Sequence, residues 1–287
     1  MREKNMFARA GVELTNEEAI DIVSILYDGY INKPLEERIA NLNDHTPENL
    51  ISLYLYYIIK NNFKEIVYDF KKNYIENEAL VEPGVTKEER AGLGKIYDYI
   101  GEYELKGEPD MFIETLKLHI LLYSEEAHPE FGGRLRQLEV RMAGMDYEVP
   151  SVEEAKRQFN SYIGKKIKLN ECEDIFDYLD KCIIANVELI KLQPFGDGNK
   201  RALRGLLNLQ LACIGIPPVY IAKEERKIYK NLLIEAIITN DCTKFIKFYY
   251  YKICDAIMVS DVMKSSEIAH ETESEKKHIL VPNEKNS

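Results

Sequence analysis

The stretch Gln193-Pro194-Phe195-Gly196-Asp197-Gly198-Asn199-Lys200-Arg201-Ala202-Leu203-Arg204 lies between two apolar-periodic segments. Upstream, Ile175, Tyr178, Leu179, Cys182, Ile183, Val187 and Ile190 recur at helical spacing across 175–192, and Leu203 to Cys213 is a second such run. Pro194 and the two glycines break the first helix. The stretch therefore predicts a helix, a tight polar loop and a helix with two arginines in its first turns. Such a loop offers backbone N–H groups and a helix N-terminus, the ingredients of an anion site. Gly196 and Gly198 allow the backbone close to a ligand. Asp197 is a hard-oxygen ligand suited to Mg²⁺, Asn199 is a neutral donor, and Arg201 and Arg204 form a cationic pair on one helical face. These residue types suit phosphate plus Mg²⁺. Gly-Asp-Gly-Asn is also ordinary turn chemistry, and basic residues after a turn commonly form a solvated face. Residue types alone leave both readings open.

Working outward, the 287 residues suffice for a sizeable core, in one long or two small domains. A hydrophobic fraction of 45% beside 30% charged residues is that of a globular chain. The net charge of −11 argues against nucleic acid as the main partner, so any phosphate site must be a local basic spot. The chain has no Trp and 19 Tyr, which makes Tyr the main aromatic mass. Its five Cys (172, 182, 213, 242 and 254) show no C-x-x-C spacing, and we read them as reduced thiols of a cytoplasmic protein. The first 14 residues lack the apolar core of a signal peptide, and the most apolar run, Leu50 to Ile59, is too short to span a bilayer. No membrane contact is expected.

Helix-start signals recur at Thr15…Glu18, Thr46-Pro47, Thr86…Glu89 and Ser151…Glu154. Apolar stripes follow them, as in Ala19, Ile22, Val23, Ile25, Leu26 and in Leu50, Leu53, Tyr54, Tyr57, Ile58. Another helix is expected from Glu108-Pro109-Asp110 to about Ser124, with His119 at a core edge rather than in catalysis. Strand-like alternation is scarce. The expectation is an all-α architecture with helices packed about a central one. Helix 203–213 should stop at Gly215, before Pro217-Pro218, and two more helices should run over 224–240 and 245–259. From Ser260 the Glu/Lys/Ser-rich chain reads as a flexible tail.

The opening stretch resembles the signature of the Fic (Fido) family, His-Pro-Phe-x-Asp/Glu-Gly-Asn-Gly/Lys-Arg-x-x-Arg, with most defined positions matching in order. The resemblance implies a Fic helical bundle over 71–259, a helical N-terminal extension over 1–70 and a tail over 260–287. It implies ATP and Mg²⁺ as cofactors and transfer of AMP from ATP to a protein hydroxyl. Asp197 would hold the metal, with Gly196, Gly198, Lys200, Arg201 and Arg204 around the phosphates, Asn199 and Arg201 assisting the chemistry, and Tyr229 contacting the nucleotide. The family's catalytic His is Gln193 here, whose amide has no usable pKa near neutrality. That departure implies weakened or lost transfer, a nucleotide-binding pseudoenzyme, or a deAMPylating or phosphotransfer variant. Lys200 in place of the commoner Gly resembles the Doc branch, whose members transfer phosphate but keep the His.

Two further segments resemble the family. Lys72-Asn73-Tyr74-Ile75-Glu76-Asn77 is similar to the end of its inhibitory helix, with Lys72 where Ser or Thr belongs. Glu76 would then pair with Arg204 and block ATP; otherwise it is a solvated Glu at a helix end. Gly133 to Arg136 with the following Val140 to Pro150 looks like the flap, a small β-hairpin. An unknown protein target would dock along 138–147 by strand addition.

Overall fold

The computed structural model describes residues 33–61, 71–82, 84–103, 107–142 and 147–259. The first helix-start signal, the stripe from Ala19 to Leu26 and the tail from Ser260 lie outside the described residues, as do 143–146 within the expected flap. Among the described residues there are ten α-helices: α1 (Leu35–Ala40), α2 (Thr46–Asn61), α3 (Lys71–Val81), α4 (Lys87–Tyr103), α5 (Met111–Tyr123), α6 (Val152–Asn160), α7 (Ile175–Leu192), α8 (Asn199–Ala212), α9 (Arg226–Thr239) and α10 (Thr243–Val259). The all-α expectation holds.

Caps explain several helix starts. Thr86 and Glu89 satisfy each other's backbone N–H at the start of α4, in a reciprocal capping box. Asp110 accepts from the backbone N–H groups of Phe112 and Ile113, and Asp174 from those of Phe176 and Asp177. At the start of α2 the Asp44 Oδ1 accepts from the Thr46 N–H at 3.0 Å.

Helix α8 is the axis of the molecule, buried at Asn199 and at every residue from Arg201 to Ala212. It packs against α4, α5 and α7. On α5 the residues Met111, Thr115, Leu118, His119 and Leu122 are buried at helical spacing, so one stripe faces the core. Helices α4 and α5 cross closely at Gly92, where a Cβ would sit 2.0 Å from the Leu122 carbonyl oxygen. Asn208 on α8 clamps the connector beyond it, accepting from the Val219 N–H at 2.8 Å and donating to the Val219 carbonyl at 2.9 Å. Helices α1 and α2 pack on α10, and the buried Tyr54 hydroxyl donates to the Gly215 carbonyl at 3.0 Å.

The expected β-hairpin is not seen among the described residues. A single antiparallel bridge joins Leu135 to Phe195 instead, with the Arg136 N–H donating to the Pro194 carbonyl at 2.9 Å. The segment thus spends its backbone pairing on the polar loop between α7 and α8. Arg136 explains why it stays there. Its side chain is buried and donates to the carbonyls of Gln193, Leu138 and Pro150 and to the Glu139 carboxylate.

Candidate active site

Helix α7 ends at Gln193, which adopts the left-handed conformation with φ 45° and ψ 61°. That geometry costs a non-glycine residue on the order of 1 kcal/mol. The surrounding hydrogen bonds hold it. Both the backbone N–H and the side-chain Nε2 of Gln193 donate to the Ile190 carbonyl, at 3.2 and 2.8 Å. Its Oε1 accepts from Asn199 Nδ2 at 3.2 Å. The Asn199 amide also accepts from the Phe195 N–H at 2.8 Å and donates to the Phe195 carbonyl at 2.9 Å. Gln193 and Asn199 therefore staple one helix end to the next. The expectation aimed both at a ligand; in the structure both are buried, Gln193 bonded to the Ile190 carbonyl and Asn199 to the Phe195 backbone, where buried polar groups need partners.

Phe195 turns inward, fully buried, and its ring stacks on His119 at 3.8 Å between centroids. His119 accepts from the Gly133 N–H on Nδ1 at 2.8 Å, which leaves the proton on Nε2 to donate to the Asp197 carbonyl at 2.9 Å. Burial lowers its pKa to about 4, so the imidazole is neutral. It is no base. It pins the loop to α5 and to the Gly133 segment together. Gly198 completes the turn with φ +74°, and a Cβ there would meet Tyr123, Leu122 and His119 within 2.9–3.1 Å.

The motif cations are all engaged by carboxylates. Lys200 Nζ lies 2.8 Å from Glu82, and Arg201 donates to buried Glu89 and sits 3.2 Å from Asp197. Arg204 Nε lies 2.6 Å from Glu78, with Glu82 at 3.7 Å from Nη1. Glu78 also faces the Ile221 N–H at 3.4 Å. Burial alone would lower the Arg204 pKa, yet the Glu78 carboxylate more than offsets this and holds it well above the ordinary value.

Three expectations are corrected here. Glu76 is exposed and Glu78 makes the contact with Arg204. Glu78 lies on α3 and Glu82 just past its last residue, Val81, whereas 76 lies about 200° around the helix from 78. The spacing Tyr74, Glu78, Glu82 was the available signal. Second, Asn199, Arg201 and Arg204 do not line an open pocket, being 4, 5 and 3% exposed. Carboxylates cover the two arginines. Third, Tyr229 is buried against Phe245 and Phe248, with its ring 5.7 Å from the Arg204 guanidinium carbon, so it backs the arginine rather than facing solvent. At the loop mouth Gly196 is exposed and the Asp197 side chain is 79% exposed.

A family model described as Fic/DOC matches residues 113–211, from α5 almost to the end of α8. A protein adenylyltransferase Fic of Nematostella vectensis is 28% identical over 158 residues, 55% of this chain and 36% of the relative. One of Aedes aegypti is 29% identical over 121 residues, 42% of this chain and 23% of the relative. The chain thus spans about a third or less of the length of these relatives. A solved structure of Fic-1 (residues 134–508) from C. elegans shares the fold, with a TM-score of 0.53, 18% identity and coverage of 90% of this chain and 91% of that one. With the loop, the central helix and the motif order in agreement, residues 113–211 form a Fic/DOC-family domain.

Proposed function

We propose that this chain is a Fic protein of the adenylyltransferase kind, which binds ATP–Mg²⁺ at the N-terminal end of α8 and transfers AMP to a protein hydroxyl slowly. One observation carries the reading. Lys200, Arg201 and Arg204 stand together on three carboxylates, so a polyphosphate entering there has a ready set of cationic partners. We assign Glu78 the inhibitory role first expected of Glu76, because it occupies the Arg204 contact.

The donor set suits Mg²⁺. Among the described residues no cluster of three or more His, Cys, Asp or Glu could hold a metal unaided. Asp197 offers one exposed carboxylate, which fits an ion that completes its shell with phosphate oxygens and water. Bound there, Mg²⁺ would neutralise charge between phosphates.

Slowness follows from position 193. The Gln193 amide accepts no proton, and His119 is sealed with both ring nitrogens bonded to backbone groups. Missing general-base help costs roughly 10²–10⁴-fold, while positioning and charge neutralisation remain. Protein docking fits the ledge at Leu138, which is 79% exposed beside the anchored Arg136. The cytoplasm suits the five free thiols, and no described helix is long and apolar enough to cross a membrane. A second reading, ATP binding without transfer, draws on the commitment of Gln193 and Asn199 to the loop.

Incubation of a lysate with α-labelled and γ-labelled ATP separates these readings, using wild type, Glu78→Gly and Gln193→His in the Glu78→Gly background. Protein label from the α-phosphate in Glu78→Gly is expected, rising in the double variant. Label only in the double variant selects the second reading. Absence of label throughout, with no ATP–Mg²⁺ binding by calorimetry, overturns both.

A further inference from the structure

A cavity of about 550 Å³ opens where α10 packs on both α2 and α7, at the end of α7 remote from the motif loop. Asp180, in its lining, lies on the order of 20 Å along that helix from Gln193. The volume is that of a small-molecule site, which typically spans ~300–1,000 Å³. Phe176 and Asp180 line it one turn apart on α7, and Ile246 and Tyr250 one turn apart on α10. The rings of Phe176 and Tyr250 meet at 5.7 Å between centroids, so an aromatic wall stands beside a carboxylate.

The charges of the lining are unequally matched. Lys247 lies 3.1 Å from Glu48, and His45 lies 3.6 Å from the same carboxylate, so both basic residues of the lining face Glu48. Asp174 is engaged by the backbone N–H groups that start α7. Asp180 is seen bonded, among the described residues, to the Tyr250 hydroxyl, which donates to Oδ1 at 2.6 Å. Burial pushes the Asp180 pKa up; the Tyr250 hydrogen bond opposes that push, and the carboxylates of Asp177, Asp174 and Glu48 reinforce it. A half-buried carboxylate, fixed by a hydroxyl and surrounded by like charge, calls for a cation. A bare divalent ion does not suit the place, since no cluster of three or more His, Cys, Asp or Glu among the described residues could hold one. An ammonium group attached to an apolar body does.

We propose that this cavity binds a small organic ammonium ion, a primary amine with an aromatic or aliphatic body, with Asp180 as its counter-ion and Tyr250 holding that carboxylate in place. The ammonium donates to Asp180, and the body covers Phe176, Tyr250 and Ile246. The site is separate from the cationic end of α8, and it does not rest on the nucleotide-binding reading.

Calorimetry on the whole chain with phenethylamine tests this, beside phenethyl alcohol, which keeps the ring and replaces the ammonium by a hydroxyl. Saturable binding of the amine is expected, about tenfold tighter than any binding of the alcohol. Asp180→Asn keeps an acceptor for the Tyr250 hydroxyl and removes the charge. It should weaken amine binding about tenfold while the melting midpoint stays near that of wild type. Asp177→Asn removes a carboxylate already paired with Lys181 and should cost much less. No saturable binding of the amine, equal binding of the alcohol, full amine affinity in Asp180→Asn, or an equal loss in Asp177→Asn each overturns the proposal. If Asp180→Asn does not fold, the comparison of amine with alcohol in wild type decides.

Discussion

Glu78 and Arg204 meet at 2.6 Å with only 1% and 3% of their side chains exposed. A pair so buried is held by mutual dependence. Each charge has given up its hydration, and removing one leaves the other uncompensated, typically at about 3–5 kcal/mol. The contact joins α3 to the central helix of the Fic/DOC domain, so whatever displaces Glu78 must bring its own negative charge.

The Glu78→Gly variant should therefore melt at a lower temperature than wild type in the absence of nucleotide. Saturating ATP–Mg²⁺ should restore much of the loss, since a ligand that binds only the folded state stabilises it by mass action. Calorimetry should find tighter ATP binding than in wild type. Glu76→Gly, on the exposed face of α3, should leave affinity unchanged and cost only about 1 kcal/mol of helix propensity. The reverse pattern, with Glu76→Gly alone raising affinity, would return the inhibitory role to Glu76.

The contrast between Glu76 and Glu78 shows what the sequence could and could not reveal. Local signals were legible: the reciprocal Thr86–Glu89 cap and the 175–192 helix follow from residue types at short spacing. Long-range polar pairing was not. Arg204 and Glu78 lie 126 residues apart, and which of several glutamates arrives depends on how α3 is rotated against α8. The same holds for His119, whose loop-pinning bonds reach partners 14 and 78 residues further along the chain. No β-hairpin forms among the described residues of the expected flap, and near 135 the backbone pairs with the motif loop.

His119 makes stability depend on pH. Its pKa is lowered from 6.5 to about 4 by burial, so the folded state disfavours the proton that the unfolded chain accepts. The stabilisation is fully present above pH ~6.5 and is lost as pH falls towards ~4, by at most about 3 kcal/mol. Chemical denaturation across this window should show wild type losing more stability on acidification than His119→Gln. Parallel pH profiles for the two proteins would mean that His119 is protonated without penalty.

The last prediction concerns Arg136, which gathers four acceptors that no other described side chain is seen to serve together. Its Nε reaches the Gln193 carbonyl at 2.8 Å, beneath the left-handed turn, while its Nη atoms hold Leu138, Glu139 and Pro150. The planar fork matters, because a lysine ammonium would have to serve the same carbonyls from a single point. Arg136→Lys should therefore restore little of what Arg136→Ala loses. Removing the guanidinium leaves the Gln193 carbonyl buried without its donor and frees the strained turn. Unsatisfied buried polar groups cost about 1–3 kcal/mol each, so Arg136→Ala should lose at least about 2 kcal/mol in denaturant titrations. The loss should also be local. Hydrogen exchange should accelerate at the Arg136 N–H, which donates to the Pro194 carbonyl, and around Leu138, well before the α8 core responds. If exchange instead rises uniformly with global stability, Arg136 is an ordinary part of the core rather than the bolt between the Leu138 ledge and the motif loop.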